Sequence, residues 1–371
     1  MKITIIGGGI IGLGLAGEWA DSHEVTLLER GEFAREASHA AAGMLGPIME
    51  VEYNEPEQLD LNLASHELYP EFIQSLEQET GIDTGFRTDG TFMVASSSSE
   101  IEELDRLYEY QQRIGLDVQR VSVEECRDRE PRISNYVSRA IYTASDYQVD
   151  NRRLCDALLE RCSRRGVDLQ SNQPVTELEV SSGRVRSVKT ETNSYQADRV
   201  IICSGAWSGF LEGLPESDQL PVRPVKGQAL SVALSEPPEI EHVIRGVSTY
   251  CVPKADGRMV IGSTMEEEGF DKRTTAGGVL DLLHSAYEIL PFIYEQELLE
   301  TWANLRPAMI DSLPALGPAP TIENLGYATG HYRNGILLTP VTIKLMTEWL
   351  ESGTVPELMQ PMRADRFEEG N

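Results

Sequence analysis

With 371 residues, 40% of them hydrophobic, the chain is long enough to bury a large core, and its length points to two domains. Asp and Glu number 60 against 32 Lys and Arg, and the resulting formal charge of −28 repels nucleic acid and anionic membranes. No apolar run reaches the roughly 20 residues of a membrane span and no secretory leader opens the chain, so a soluble cytoplasmic protein is predicted, without nucleic-acid or membrane partners.

Lys2 to Ile6 is a β-branched run that ends in glycines. A stretch rich in Ala, Leu and Ile follows at helical spacing to Ala20, and "HEVTLLE" restores a strand pattern, which together make a βαβ unit. Gly7, Gly9 and Gly12 form GxGxxG between strand and helix, where missing side chains permit a tight turn and let a pyrophosphate approach the helix N-terminus. Glu29, 17 residues beyond Gly12, ends the second strand and can accept hydrogen bonds from a ribose. A glycine turn needed only for packing accounts for the glycines but leaves Glu29 unexplained. The next run, "ASHAAAGML" from Ala37 to Leu45, is made of small residues and suits a backbone pressed against a planar ligand. A helix of good formers accounts for the alanines equally well.

Ser96 to Ser99 reads as a turn into a helix over Ile101–Ile114. "DRVIICSGAWS", Asp198 to Ser208, is a buried strand delivered into a glycine turn, and Asn324 to Gly330 repeats that shape near the C-terminus. Strands ending at glycine turns so far apart predict a nucleotide domain assembled from discontinuous segments. Pro221–Ser231 and Thr249–Met265 alternate as antiparallel strands do, with "KADGR" as a hairpin turn. A two-residue turn at Asp256 and Gly257 sets Tyr250 opposite Ser263 and places Tyr250 and Met265 on one face, a candidate pocket wall. Cys126, Cys155, Cys162, Cys203 and Cys251 are scattered without the close pairs of a zinc or redox motif, so they read as structural thiols and no metal site is expected. Lysine occurs at only six positions, and so many carboxylates suggest a salt-rich cytoplasm, although codon usage with a solvated acidic surface fits the composition too.

Taken together, "IGGGIIG", "AAAGML" (Ala40–Leu45), "SGAWS" (Ser204–Ser208), "PVKGQ" (Pro224–Gln228), "YCVP" with "GRMVIGSTM", "WANLRP" (Trp302–Pro307) and "GHYRNGILL" (Gly330–Leu338) occur in an order and spacing that resembles the D-amino acid oxidase family of flavoenzymes, and within it the glycine oxidases of thiamine biosynthesis. The resemblance covers nearly the full length. It implies an α/β plus α+β fold, in which a Rossmann-like FAD-binding domain (1–80, 142–220 and 304–371) is interleaved with an antiparallel-sheet substrate domain (81–141 and 221–303). The cofactor-binding residues it implies are Gly7, Gly9, Ile10, Ile11, Gly12, Glu29, Arg30, Ala37, Ser38, Ala42, Gly43, Met44, Val175, Ser204, Gly205, Trp207, His331, Tyr332, Arg333, Asn334, Gly335, Ile336 and Leu337.

In such relatives the "HxRNGI" loop wraps the pyrimidine end of the flavin, so N–H groups from Asn334 to Leu337 would stabilise negative charge on the ring, and Thr339 would cap a helix with Pro340 in its first turn. Arg306 matches the carboxylate-binding arginine. Its planar fork suits a carboxylate, and Tyr250 supplies a further donor. Arg333, Met265 and Ser248 complete the substrate residues. Ser248 replaces the histidine that glycine oxidases carry two positions before the tyrosine, and Pro47 stands where relatives have a small residue. No cysteine follows Arg306-Pro307, and His39 lies one place off the attachment histidine of dimethylglycine dehydrogenase-like proteins, so the FAD is expected to be noncovalent. The implied reaction converts glycine, or sarcosine or D-alanine, with O2 to an oxo acid, ammonia and peroxide, without a side-chain base. Alternatives are a D-amino acid dehydrogenase, a sarcosine oxidase-like enzyme and a non-catalytic flavin-binding module. A homo-oligomer, up to a tetramer, is expected.

Overall fold

The computed structural model describes residues 1–53, 55–234 and 240–367. One sheet has six strands, in the spatial order Ala315–Pro318, Leu325–Thr329, Arg199–Ile202, β1 (Lys2–Ile6), β2 (Glu24–Leu28) and Asp168–Gln170. All neighbours pair parallel except Ala315–Pro318, which runs against Leu325–Thr329. β1 sits inside this sheet because its last four residues, Ile3 to Ile6, are all buried, as a parallel strand covered on both faces requires. Helix α1 (Ile10–Trp19) is apolar almost all round and is buried at every position except Glu18. Gly14 lets α2 (Thr339–Ser352) close on it, since a Cβ there would lie 2.7 Å from Ile343 Cδ1.

The other large sheet has eight strands. β3 (Arg223–Ala233) pairs antiparallel with both β6 (Leu298–Ala308) and β5 (Arg258–Gly262), and β5 pairs with β4 (Tyr250–Pro253). Four further strands follow: Val243–Arg245, Thr91–Ala95, Arg139–Thr143 and Gln119–Val121. Leu230, Val232, Met259 and Ile261 pack on one face against Leu282, Ala286 and Ile289 of the helix Ala276–Ile289. Val252 and Val260 point to the opposite face, where Ala42 meets them. That alternation lets the sheet present Tyr250 toward the cofactor segment while a helix covers its back.

Several local expectations change. The hairpin is closed by Lys254 N–H donating to Arg258 O at 2.7 Å, with Gly257 at φ +82°, so its loop has three residues and not two. The register moves by one place: Tyr250 faces Gly262, and Ser263 falls just beyond the pair. The first helix after the serine run starts earlier than expected, at Ser98, because Ser97 and Glu100 form a reciprocal capping box. Thr339 is not the cap of α2; Leu338 holds that position and Thr339 Oγ1 donates to Gly335 O at 2.9 Å. β6 continues through Arg306 to Ala308, so the antiparallel sheet itself carries Arg306. All five cysteines are free and buried; burial pushes the thiols of Cys126 and Cys162 up to about 12 and the other three further in the same direction. Among the described residues no helix is long and apolar enough to cross a membrane, and no His, Cys, Asp and Glu cluster is arranged to hold a metal.

Candidate active site

A cavity of about 430 Å³ runs from the β1–α1 turn to the face of the antiparallel sheet. At its first end Gly7 has φ +108°, and a Cβ there would lie 2.5 Å from Cys203 O. Gly9 caps α1 in extended conformation without a side-chain bond, and no acidic residue occupies the first turn, so the positive end of the helix dipole faces the cavity. Gly12 is not in the lining. Its Cβ would lie 1.9 Å from Gly7 O, so its part is to let the turn fold on itself. Glu29 lines the cavity with both oxygens engaged, accepting from Gly8 N–H at 2.8 Å and Gly31 N–H at 3.0 Å. A carboxylate has about four lone-pair sites, so acceptor capacity remains for a ribose.

Arg30 lies 3.4 Å from the centre of the Trp207 ring and pairs with Glu36 at 2.5 Å. Lys272, on the segment after β5, pairs with Glu36 at 2.8 Å. Burial opposes ionisation of Glu36, but hydrogen bonds from Lys272 and Arg30 outweigh it and hold the carboxyl below its usual range. This cluster was invisible in the sequence, because Glu36 and Lys272 are 236 positions apart.

Further along, Ala37–Ala40 forms one helical turn and the chain then extends, with Gly43 at φ +74°. A Cβ on Gly43 would lie 2.0 Å from Val149 O. The buried Lys254 donates from Nζ to Ala42 O at 2.5 Å and Val149 O at 2.8 Å, tying two backbone segments together behind the wall. Sequence reading took Lys254 for an ordinary turn residue; its only signal was its scarcity as a lysine. Ser38, Ala42, Gly43, Met44, Val175, Ser204, Gly205 and Trp207 line the cavity, whereas His39 does not.

At the far end, the Arg306 guanidinium lies over Gly227, where a Cβ would come within 2.3 Å of Nη1. Nη1 donates to Lys226 O at 3.3 Å and Thr264 O at 3.2 Å, and Nη2 to Ser263 Oγ at 2.6 Å. Tyr250 lies over Gly262 in the same manner, its hydroxyl 2.4 Å from where a Cβ would sit. Burial raises the Tyr250 phenol above its usual value, opposed by the Arg306 charge and a hydrogen bond with Ser263, so it is a neutral donor at physiological pH. Ser263 lines the cavity and sequence reasoning missed it, because the predicted register put it in a strand pair.

Arg333 also lines the cavity and pairs with Glu52 at 2.7 Å; burial lowers its pKa, but Glu52 more than compensates, and it ends above its usual value. Glu50 in the lining is paired with Arg245 at 2.8 Å. Met265 is 60% exposed, accepts from Tyr332 Oη at 3.4 Å through its sulfur and stays outside the lining, as does the exposed Ser248.

Of the loop between, His331, Tyr332, Gly335 and Ile336 reach the cavity; Asn334 and Leu337 do not. Asn334 N–H turns back to His331 O at 2.9 Å, while the N–H groups of Gly335 and Ile336 find no acceptor among the described residues. Burial drives His331 down to about 3, and its Nε2 sits 3.0 Å from Thr342 Oγ1, so the ring is neutral and structural. Ser38 Oγ accepts from Ile10 N–H at 2.9 Å at the start of α1, and the bare glycine turn, the positive helix end and two unpaired N–H groups on lining residues fit FAD.

Comparison with known proteins agrees. The family model described as FAD dependent oxidoreductase (DAO) matches residues 2–349. A glycine oxidase of Geobacillus kaustophilus is 36% identical over 352 residues, covering 94% of this chain and 92% of that protein. The crystal structure of glycine oxidase from Geobacillus kaustophilus matches with a TM-score of 0.92 at 34% identity, over 98% of this chain and 99% of that one. A bifunctional protein ThiO/ThiG of Synechocystis sp. is 36% identical over 98% of this chain, which spans 54% of that longer protein. A glycine-turn cavity of this form, within a family match that runs almost end to end, places the chain in the DAO family of FAD-dependent oxidoreductases.

Proposed function

We propose that the protein oxidises glycine, or sarcosine or D-alanine, to an imine that hydrolyses to the 2-oxo acid and ammonia, or methylamine in the case of sarcosine, with O2 reduced to hydrogen peroxide. The observation that carries this reading is the pairing of Arg306 and Tyr250 on glycine floors at the end of the cavity opposite the nucleotide turn. FAD, when bound, supplies the two-electron acceptor that takes a hydride and passes the electrons to O2. The residues named here do the positioning. Arg306 offers Nε and Nη2 to a carboxylate, because its Nη1 is held by two carbonyls, and Tyr250 adds a neutral donor. Fixing the carboxylate on one side fixes the Cα–H relative to the wall formed by Ala42 and Gly43, so that rate comes from orientation and not from a base. The N–H groups of Gly335 and Ile336, on residues that line the same cavity and without an acceptor among the described residues, supply partial positive charge for a reduced ring.

The residues between the two ends serve noncovalent FAD binding, with Glu29 on the ribose. The ThiO/ThiG relative supports a role in supplying thiazole synthesis, and a cytoplasmic homo-oligomer, up to a tetramer, is part of the same proposal. The test is anaerobic bleaching of the flavin by glycine, sarcosine and D-alanine, followed by readmission of air. Bleaching by glycine with stoichiometric peroxide is the expected result. Bleaching without peroxide points to a dehydrogenase, and no bleaching by any amine to a flavin-binding module.

A further inference from the structure

The guanidinium of Arg306 needs Ser263 less for support than its geometry first suggests. Nη1 is already fixed by the carbonyls of Lys226 and Thr264, and the bare backbone of Gly227 lies beneath. Ser263 instead meets Nη2, at 2.6 Å, on the part of the fork left for a ligand, and it lines the cavity. The Tyr250 hydroxyl rests on bare backbone at Gly262, the residue next to Ser263 in the chain. Ser263 therefore touches one anchor directly and follows the glycine floor of the other, and its oxygen occupies Nη2, an atom of the fork open to a carboxylate.

We propose that Ser263 is a third arm of the carboxylate site, accepting from Arg306 Nη2 in the free protein and donating its own proton to the substrate carboxylate once that group takes its place. A hydroxyl carries one donor and two acceptor sites, so the exchange needs only a turn about the Cα–Cβ and Cβ–Oγ bonds and moves no proton between heavy atoms. It keeps the fork hydrogen-bonded before binding and adds a neutral donor after it. A carboxylate then meets donors from Arg306, Tyr250 and Ser263, which favours α-amino carboxylates over amines that lack the acid. The inference rests on the assignment of Arg306 and Tyr250 as the carboxylate anchor.

The experiment uses the FAD-loaded protein. Acetate, which carries the carboxylate and α-carbon without an oxidisable amine, is titrated against the visible flavin band, and glycine turnover is followed in parallel. Ser263→Ala is expected to weaken acetate about tenfold, the scale of one hydrogen bond to a charged group less the contact it replaces, and to raise KM for glycine by a similar factor with the loss sparing kcat. Unchanged acetate affinity and KM in Ser263→Ala overturn the proposal while leaving the anchor standing. A fall in kcat comparable to the rise in KM overturns it too, since that marks a displaced guanidinium. If the unsubstituted protein neither binds acetate nor is reduced by glycine, the anchor itself is wrong and Ser263 falls with it.

Discussion

At the nucleotide end of the cavity, the glycine turn, the start of α1 and Glu29 come from one stretch, Gly7 to Glu29, with Val175 and Ser204 to Trp207 joining the lining from other segments. At the substrate end the corresponding groups are the side chains of Arg306, Tyr250, Ser263 and Arg333, delivered by β6, β4, the end of β5 and a loop beyond. Glycines serve both ends, but differently. Gly7 takes a φ of +108° and Gly12 leaves room for Gly7 O, whereas Gly227 and Gly262 clear floor space for other residues' side chains. A backbone site is therefore lost by changing the path of the chain, and a side-chain site by removing one group.

The largest expected effect falls at the substrate end. Arg306→Ala is expected to cost about 2–5 kcal/mol, weakening carboxylate substrates by roughly 30-fold to several thousandfold, while FAD occupancy stays unchanged. Arg306→Lys should recover only part of this, because an ammonium keeps the charge and loses the planar fork. Steady-state kcat/KM alongside the flavin spectrum separates the two ends: equal turnover of glycine by Arg306→Ala makes Arg333 the next candidate anchor. At the other end, Glu29→Ala leaves the N–H groups of Gly8 and Gly31 without their acceptor and removes the proposed ribose partner. FAD should weaken by about 1.5–3 kcal/mol, and apoprotein should appear on dilution. A dilution series with constant flavin occupancy contradicts the assignment.

This difference also decided what could be read before the structure. Gly7, Gly9 and Glu29 are legible because their chemistry is carried by spacing along one stretch, although the backbone that crowds Gly7 belongs to the distant Cys203. Tyr250 was placed on a candidate pocket wall by strand alternation, but Arg306 was named only through whole-chain resemblance, since nothing local says that a strand arginine lies over Gly227. Ser263 was lost to a register error of one residue: Asp256-Gly257 reads as a two-residue turn, but the Lys254–Arg258 closure adds a residue and changes which positions pair. Lys254 and Asp146 were missed for the same physical reason, burial created by long-range packing; Asp146 accepts from Ile48 and Met49 N–H at 3.1 Å each, behind the cavity's far wall.

Those two buried charges extend the comparison to pH. Burial lowers Lys254 to about 7 from 10.5, so between those values the unfolded chain binds more protons and stability rises with pH. Burial raises Asp146 to about 7 from 3.8 against the pull of its two N–H donors, so across that window the folded chain binds more protons and stability falls as pH rises. The two groups together place a minimum near pH 7. Chemical denaturation across pH 5 to 9 should show Lys254→Met flattening the upper limb by on the order of 1–2 kcal/mol and Asp146→Asn flattening the lower one. Limbs unaltered by either variant would mean that both groups keep their ordinary titration.

The smallest expected effect lies where the two sheets meet over the nucleotide end. Lys272 reaches across to Glu36, which also holds Arg30 against Trp207, and this chain of contacts closes part of the cavity's edge. The side chains of Lys272 and Glu36 are 40% and 32% exposed, so solvent screens the pair and its worth is limited to about 0.2–1 kcal/mol. Lys272→Met should therefore release FAD only up to about fivefold faster at low salt, read as a rise in flavin fluorescence after dilution, and the difference should vanish in molar KCl. The fold should respond to salt in the opposite sense, because screening a formal charge of −28 relieves self-repulsion and raises Tm. Opposite salt responses of cofactor retention and Tm distinguish a specific contact from the general field of the surface. Release at the unsubstituted rate in every salt condition would show that the Lys272 segment rests over the cavity without holding the cofactor in.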